Sequence, residues 1–179
     1  MLKLFYPFEY VDSVFSIDYS KLYQLGYRGL IFDIDNTLVP HGDDSTPKVD
    51  ELFHRLHELG FQTLLLSNNS EERILRFLRN IDSLYLYDAQ KPYAANYYKA
   101  VKMLGLGKKQ VVYIGDQIFT DILGANRSGL DNILVKFIGH DVETKIGIRR
   151  NLEKIILKFY GMRKSYQNRI GDIEKKEEP

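Results

Sequence analysis

The nonapeptide Gly29-Leu-Ile-Phe-Asp-Ile-Asp-Asn-Thr37 contains the most informative pattern in the chain. It begins as a short apolar run, which predicts a buried β-strand, and two aspartates mark the carboxyl end of that strand. In open parallel sheets, functional side chains collect at the carboxyl ends of the strands. We therefore expect the chemistry of this chain to begin at Asp33.

Short apolar runs and amphipathic helical patterns alternate beyond this strand. Four further strands are predicted at 61–67, 84–87, 111–115 and 132–137. Helices are predicted at about 47–59, 71–78, 93–104, 118–127 and 142–159. Thr46 and Ser70 are the expected N-caps of the first two. The alternation predicts a Rossmann-like α/β/α sandwich, in which a five-stranded parallel sheet lies between two helical layers.

Length and composition limit the class of protein. The 179 residues suffice for one domain with an apolar core. The chain has no cysteine, which excludes zinc–thiolate sites, iron–sulfur clusters and thiol nucleophiles. It has no run of about 18 apolar residues that could span a bilayer. Pro7 and Glu9 interrupt the apolar start before a signal-peptide core could form, so we expect a cytoplasmic protein.

Charge is distributed unevenly along the chain. The net charge is +1, yet residues 145–169 contain eight basic residues and a single acid, Glu153. The predicted C-terminal helix is therefore strongly basic, and residues 1–144 are mildly acidic. We expect residues 1–160 to form one domain and residues 161–179 to form a charged, flexible tail.

Polar side chains follow the other predicted strands as well. They are Ser67 and Asn68 after the second strand, Lys91 after the third, and Asp116 and Asp121 after the fourth. With Asp33 and Asp35, four carboxylates converge on one edge of the sheet, where they would repel one another unless a cation lay among them. Oxygen ligands favour Mg²⁺. A divalent ion, a lysine, and hydroxyl and amide donors together are typical of a phosphate site.

This ordered set resembles the four motifs of the haloacid dehalogenase (HAD) superfamily of phosphotransferases, and the likeness covers most of the chain. The resemblance implies that Asp33 is the nucleophile, which attacks phosphorus to form an aspartyl-phosphate. Asp35 would donate a proton to the leaving alkoxide and later remove one from water. Thr37 would hold Asp35 in place.

The same resemblance assigns the phosphate-binding residues. Ser67 and the backbone amide of Asn68 would bind the phosphoryl oxygens. Lys91 would neutralise the charge on the nucleophile and the phosphate. Because two anions must meet in this reaction, both Mg²⁺ and Lys91 are needed to cancel their repulsion.

The metal ligands follow from the resemblance too. Asp116 would bind Mg²⁺ together with the carboxylate of Asp33 and the carbonyl of Asp35. Asp121 would support the metal. The aspartate at position 35, two residues after the nucleophile, favours a phosphatase or a mutase within this superfamily.

Motif spacing limits what can cover the site. Only 31 residues lie between Asp35 and Ser67, and only 23 lie between Ser67 and Lys91. Neither interval can hold a cap domain, so the predicted site is open to large phosphorylated substrates. An open site favours hydrolysis, because a mutase must keep water away from its phosphoenzyme.

Three further stretches resemble the YqeG type of class III HAD phosphatases: Phe32–Pro40, Tyr10–Asp18 and Thr144–Asn151. Relatives of that type include mitochondrial enzymes that convert phosphatidylglycerophosphate to phosphatidylglycerol. The resemblance therefore implies a phospholipid monoester as the substrate. Alternatives are a protein, nucleic-acid or sugar phosphatase on the same scaffold, and a non-catalytic adaptor that binds partners.

Two apolar segments suggest peripheral contact with a membrane. The basic C-terminal helix includes Ile146, Ile148, Leu152, Ile155, Ile156, Leu157, Phe159 and Tyr160. It could bind anionic headgroups, or its apolar residues could cover the sheet. The N-terminal segment contains Leu2, Leu4, Phe5, Tyr6 and Phe8, which could insert into an interface or pack in the core. The acidic body argues against a nucleic-acid partner, and the sequence leaves the oligomeric state open.

Overall fold

The structure is a computed structural model that describes residues 2–139 and 147–175. Its sheet has six parallel strands: β1 (Glu9–Val11), β2 (Gly29–Phe32), β3 (Gln62–Leu66), β4 (Leu84–Leu86), β5 (Val111–Gly115) and β6 (Asp131–Val135). Their order across the sheet is β1-β6-β5-β2-β3-β4. The central strands β2 and β5 end directly before Asp33 and Asp116, two of the predicted site carboxylates.

In the described part of the chain, six α-helices connect or flank these strands. They are α1 (Tyr19–Gln24), α2 (Pro47–Glu58), α3 (Glu71–Phe77), α4 (Ala94–Met103), α5 (Leu123–Ser128) and α6 (Gly147–Gly161). A π-helical turn, Ile118–Ile122, leads directly into α5. The predicted C-terminal helix begins at 142, but residues 142–146 lie outside the described part of the chain.

Helices cover both faces of the sheet, which confirms the predicted three-layer α/β/α architecture. Helices α1, α2 and α3 pack on one face, and α4, α5 and α6 pack on the other. Side chains of β2 alternate between the faces, with Leu30 and Phe32 in the first core cluster and Ile31 in the second. Both faces are buried, so β2 reads as a continuous apolar run.

The predicted number of strands is wrong, because β1 adds a sixth strand at the edge of the sheet. Tyr10 of β1 pairs in register with Leu134 of β6. The strand has only three residues and contains the charged Glu9, so neither its length nor its composition gives a strand pattern. Glu9 is tolerated because its Oε1 accepts hydrogen bonds from the backbone of Ile170 and Gly171, at 2.6 and 3.2 Å.

Residues 161–175 pack back against the domain, whereas the charge pattern predicts a flexible tail. Ile173 is buried in the core, and its carbonyl accepts a hydrogen bond from the Asp18 backbone at 2.7 Å. Lys175 donates to the Ser16 carbonyl at 2.8 Å. The segment is also held by hydrogen bonds from Ile170 and Gly171 to Glu9 and from Arg169 to the carbonyls of Tyr6 and Pro7, none of which composition reveals.

The N-terminal aromatic residues pack rather than protrude. Tyr6 is buried, and its ring lies 5.9 Å from that of Tyr160 and 5.3 Å from that of Tyr166. Phe5 packs edge-on against Phe119. These contacts join the N-terminal segment to α6 and to the π-helical turn.

No cap domain interrupts the described part of the chain. The interval from Asp35 to Ser67 contains one loop, α2 and β3, and the interval from Ser67 to Lys91 contains α3 and β4. Among residues 2–139 and 147–175, every helix falls short of the length or the apolar character needed to cross a membrane.

Candidate active site

The register of β2 and β5 brings Asp33 and Asp116 together. Phe32 pairs with Ile114, and the backbone N–H of Asp33 donates to the Ile114 carbonyl at 2.9 Å. Beyond the ends of these neighbouring strands, the Thr37 hydroxyl lies 3.3 Å from Asp33 Oδ2 and 3.3 Å from Asp116 Oδ1. The two carboxylates therefore face one point at the carboxyl edge of the sheet.

A tight turn after β2 positions Thr37. Asn36 adopts a left-handed backbone conformation with φ of 64°, which asparagine tolerates better than most residues. Its N–H donates to the Val39 carbonyl at 2.7 Å, and Leu38 N–H donates to the Ile34 carbonyl at 2.9 Å. The turn carries the chain back over Asp33, which is why the threonine hydroxyl reaches both carboxylates.

Lys91 occupies the interior of the site. Its Nζ lies 2.5 Å from Asp33 Oδ1 and 2.8 Å from Asp121 Oδ1, and its side chain is only 4% exposed. The Lys91 backbone N–H donates to Asn68 Oδ1 at 2.8 Å, which fixes the loop after β4 against the loop after β3. Two carboxylates raise the pKa of Lys91 despite its burial, so it is a cation in this site.

Asp121 is fully buried in the π-helical turn. Its Oδ1 accepts a hydrogen bond from the Tyr113 hydroxyl at 2.8 Å, and its Oδ2 accepts one from the Gln117 backbone at 2.9 Å. Gly115 makes this approach possible, because a Cβ at that position would lie 2.6 Å from Asp121 Cγ. The glycine that ends β5 is therefore a steric requirement of the site.

The donor set suits a hard divalent cation. Asp33, Asp116 and Asp121 each offer a carboxylate oxygen, and these atoms lie within 4.8 Å of one another. Burial raises the pKa of Asp33 to about 6, and burial together with the neighbouring carboxylates raises that of Asp116 well above its ordinary value. When all three aspartates are ionised they face two cations, Lys91 and Arg150, and Arg150 is shared with Glu153, so negative charge is in excess in this cluster.

Asp35 points to a different side of the site. Its Oδ1 accepts hydrogen bonds from Gly42 N at 3.1 Å and Arg73 Nη2 at 3.0 Å, and its Oδ2 accepts one from Asn69 Nδ2. Burial acts to raise the pKa of Asp35, but these donors outweigh it and lower that pKa. Thr37 is predicted to hold Asp35, but in the structure Gly42, Asn69 and Arg73 hold it, and Thr37 contacts Asp33 and Asp116 instead.

Ser67 and Asn68 lie at the end of β3, beside the other predicted residues. Ser67 is buried, and its Oγ accepts a hydrogen bond from the Asn69 backbone at 3.2 Å. Asn68 is exposed at the same edge. All eight residues that the sequence singles out therefore follow β2, β3, β4 or β5, seven of them on loops and Asp121 in the π-helical turn.

Arg150 of α6 enters the site and was not expected there. Its Nη2 contacts Asp116 Oδ2, and its Nη1 donates to the Asp116 carbonyl and to Glu153 Oε2, both at 2.9 Å. Its guanidinium also lies over the Phe137 ring at 4.3 Å. The basic C-terminal helix therefore supplies a charge to the site as well as covering the sheet.

Sequence patterns also leave unassigned three other charged or hydroxyl-bearing contributors. Tyr113 is a hydroxyl-bearing residue in an otherwise aliphatic strand, and a buried tyrosine needs a partner, which is a usable signal. Glu153 is the single acid of a basic segment, and its three-residue spacing from Arg150 is typical of a helical ion pair. Arg73 has no comparable signal, because the exposed Arg76 and Arg79 follow it closely and the sequence does not distinguish it from them.

The comparisons with known proteins identify a family. A family model described as haloacid dehalogenase-like hydrolase matches residues 41–129. "Probable phosphatase YqeG" of Bacillus subtilis is 36% identical over 156 residues, which is 87% of this chain and 91% of that protein. The Arabidopsis thaliana "Phosphatidylglycerophosphate phosphatase 1, chloroplastic/mitochondrial" is 25% identical over 93% of this chain and 52% of its own length.

The solved structures support the fold. An uncharacterized protein from Listeria monocytogenes serotype 4b superposes with a TM-score of 0.52 and 20% identity, over 73% of this chain and 99% of that one. The chain therefore belongs to the haloacid dehalogenase-like hydrolases. Within that family it is a phosphatase of the YqeG type.

Proposed function

We propose that the chain hydrolyses phosphomonoesters through an aspartyl-phosphate on Asp33. The observation that supports this most directly is the position of Asp33, which shares the Thr37 hydroxyl with Asp116 and contacts Lys91 at 2.5 Å. A carboxylate that is buried, held in place and paired with a cation is suited to act as a nucleophile.

In the first step, a carboxylate oxygen of Asp33 attacks phosphorus and the bond from phosphorus to the ester oxygen breaks. Asp35 is a carboxylate in the free protein, because its donors lower its pKa, so it must take up a proton from solvent when the substrate binds; it then donates that proton to the leaving oxygen, and an alcohol is released. In the second step, Asp35 removes a proton from water as the water oxygen attacks the phosphorus. The bond to Asp33 breaks, inorganic phosphate leaves, and both carboxyl groups return to their starting states.

Lys91 and the loop after β3 would stabilise the negative charge of the phosphoryl group. The Lys91 ammonium adjoins Asp33 and reduces the repulsion between that carboxylate and an incoming phosphate dianion. Ser67 Oγ and the Asn68 N–H would donate to phosphoryl oxygens. Asp121 and Tyr113 hold Lys91 in position, at 2.8 and 3.3 Å from its Nζ.

The cation that fits this donor set is Mg²⁺, because every candidate ligand is an oxygen. Asp33, Asp116 and the Asp35 carbonyl would hold it, and Asp121 would support it. When bound, it would supply a positive charge that stabilises the phosphoryl oxygens and offsets the negative charge of the cluster.

We further propose that the substrate is a phospholipid monoester, with phosphatidylglycerophosphate as the leading candidate. The outer face of α6 and the residue that follows the helix expose four large apolar side chains at helical spacing, each between 48% and 73% exposed: Leu152, Ile155, Phe159 and Met162. We call this set the α6 stripe. Lys154 and Lys158 are also exposed on α6. An apolar stripe with nearby cations is suited to an anionic membrane surface, and α6 also carries Arg150 into the site.

The catalytic proposal is tested by phosphate release from an aryl phosphate. We expect activity that depends on Mg²⁺, is lost with a chelator, and is absent in Asp33→Asn. An Asp82→Asn variant serves as the control, because Asp82 is an exposed aspartate on the loop before β4. Equal rates in wild type and Asp33→Asn would refute the assignment of the nucleophile.

The lipid proposal is tested with a panel of phospholipid, sugar, nucleotide and peptide phosphomonoesters. We expect the highest kcat/KM for phosphatidylglycerophosphate in anionic vesicles, and salt-dependent sedimentation with those vesicles. Replacing Ile155 and Phe159 by glutamine should reduce sedimentation while leaving hydrolysis of the aryl phosphate intact. A preference for a sugar, nucleotide or peptide ester would replace the lipid, and binding without any hydrolysis would support the adaptor alternative.

A further inference from the structure

Arg73 has more hydrogen-bonding capacity than its contacts with the chain use. Its side chain is 11% exposed, and Nη2 makes both of its hydrogen bonds, to Asp35 Oδ1 at 3.0 Å and to the Asp43 carbonyl at 2.6 Å. Its Nε and Nη1 are buried, and the described residues offer them no hydrogen-bond partner. Buried donors without partners are costly, which suggests that a group outside the chain completes them.

Asp35 does not depend on Arg73 for its orientation. The Gly42 N–H holds one carboxylate oxygen at 3.1 Å, and the Asn69 side-chain amide holds the other. Both donors are neutral and would remain if the guanidinium turned toward another anion. Arg73 could therefore bind a ligand while Asp35 keeps its orientation.

The position of Arg73 identifies which part of a substrate it would meet. Asp35 is the proposed proton donor to the leaving oxygen. Arg73 contacts Asp35, so the part of the leaving group a few bonds beyond that oxygen would come within reach of Arg73. Lys91, by contrast, contacts Asp33 and Asp121 on the phosphoryl side. Arg73 therefore adjoins the leaving group.

Among the described residues, Asp35 is the one carboxylate within ion-pair distance of Arg73. His41 lies on the same side, with Nδ1 3.5 Å from Asp35 Oδ2 and a side chain that is 59% exposed. The nearby Asp44 carboxylate is already paired with Arg76 at 2.6 Å. A guanidinium presents its donors in a planar fork that matches a phosphate group.

We propose that Arg73 is a specificity-determining residue that binds a second phosphate on the leaving group, close to the ester that is hydrolysed. The inference rests on the proposed function, because Asp35 locates the leaving group. A phosphodiester that links a lipid headgroup to its glycerol has this chemistry, and so does a diester on a soluble metabolite.

The test uses two soluble phosphomonoesters of propane-1,3-diol. In one the second hydroxyl is unmodified, and in the other it carries a methyl phosphodiester. Charge-assisted hydrogen bonds predict that wild type favours the diester compound by about tenfold to a hundredfold in kcat/KM. Arg73→Gln should lose this preference, Arg73→Lys should keep part of it, and the exposed control Arg79→Gln should keep all of it.

Two outcomes would overturn the inference. One is a wild-type enzyme that treats the two compounds alike. The other is an Arg73→Gln variant that loses activity equally on both, which would make Arg73 a residue that only positions Asp35. If the preference holds, comparing the soluble diester with phosphatidylglycerophosphate in vesicles distinguishes a metabolite from a lipid as its source.

A binding measurement separates this inference from the proposed function. Calorimetry on the Asp33→Asn protein, with the same two compounds, requires no turnover. In one outcome, wild type hydrolyses neither compound, yet Asp33→Asn binds the diester compound more tightly than the compound with the free hydroxyl. If the double variant Asp33→Asn/Arg73→Gln then binds the two compounds equally, the proposed function fails and this inference stands. If both compounds are hydrolysed but bind equally, this inference fails and the proposed function stands.

Discussion

Lys91 Nζ lies 2.5 Å from Asp33 Oδ1 in the interior of the protein, where neither side chain is more than 8% exposed. The same ammonium contacts Asp121 at 2.8 Å, so one cation joins the proposed nucleophile to a second buried carboxylate. The ammonium and the two carboxylates compensate one another's charge. Removing one of these groups leaves an uncompensated charge in a site that excludes water. We therefore expect a substitution of Lys91 to affect both stability and activity.

Lys91→Met should lower the free energy of unfolding by about 3–5 kcal/mol in metal-free buffer at neutral pH, because two buried carboxylates lose their cation. Activity on an aryl phosphate should be lost as well. The measurement is urea unfolding in the presence of a chelator. Adding Asp121→Asn to Lys91→Met should restore part of the stability but none of the activity. A stable Lys91→Met protein would contradict the buried pairing.

Stability without metal should rise as the pH falls from 7.5 to 5. Burial raises the pKa of Asp33 to about 6, and that of Asp116 is also raised, so the folded state binds more protons than the unfolded state between about pH 4 and 6. The lowered pKa of Asp35 acts oppositely, but its contribution is lost only as the pH falls below about 4.

Urea unfolding at pH 5, 6 and 7.5 with a chelator measures whether the free energy of unfolding rises as the pH falls. The slope should be smaller in Asp33→Asn, which removes one of the groups responsible. A wild-type protein that becomes steadily less stable from pH 7.5 to pH 5 would show that these carboxyls are not perturbed as described.

Arg150→Met should destabilise the protein by about 3 kcal/mol, since Asp116 and Glu153 would both lose a buried cationic partner. Adding Glu153→Gln should recover part of that loss. The measurement is again unfolding by urea. Arg149→Met is the matched control, because Arg149 is the adjacent arginine of α6 and is exposed. Equal effects of the two single substitutions would show that Arg150 does not bind Asp116.

Gly115→Ala should reduce kcat on the order of a hundredfold, because the new Cβ would lie 2.6 Å from Asp121 Cγ and displace that side chain from Lys91. Steady-state hydrolysis of an aryl phosphate measures the effect. Gly107→Ala is the control, since its Cβ would meet only Gln110 Oε1, at 3.4 Å. A fully active Gly115→Ala enzyme would mean that the position of Asp121 is unimportant.

Sequence patterns predict most of the fold because its strands are apolar runs separated by capped helices. Thr46 caps α2 and Ser70 caps α3 as expected, with hydrogen bonds from Val49 N at 3.3 Å and Arg73 N at 3.4 Å. Strand β1 was missed because its stability comes from pairing with β6 and from contacts between Glu9 and residues 170–171. Such contacts are distant in sequence and have no local pattern.

The site also contains some residues that sequence patterns predict and others that they do not. Asp33, Asp116 and Lys91 follow predicted strands, and a parallel sheet necessarily brings the ends of its strands to one edge. Arg150 could not be placed in this way, because its approach to Asp116 depends on how α6 packs over the sheet. The partners of Asp35 depend likewise on the path of the loop after β2, which carries Gly42 to the carboxylate.

The covalent intermediate is the most direct test of the proposed mechanism. The enzyme is quenched with acid during turnover, reduced with borohydride to convert an acyl phosphate to homoserine, and digested for mass spectrometry. We predict homoserine at position 33 in wild type, more of it in Asp35→Asn, which lacks the base that activates water, and none in Asp33→Asn. Sustained hydrolysis with an unmodified Asp33, or homoserine at another aspartate, would contradict the assignment of the nucleophile.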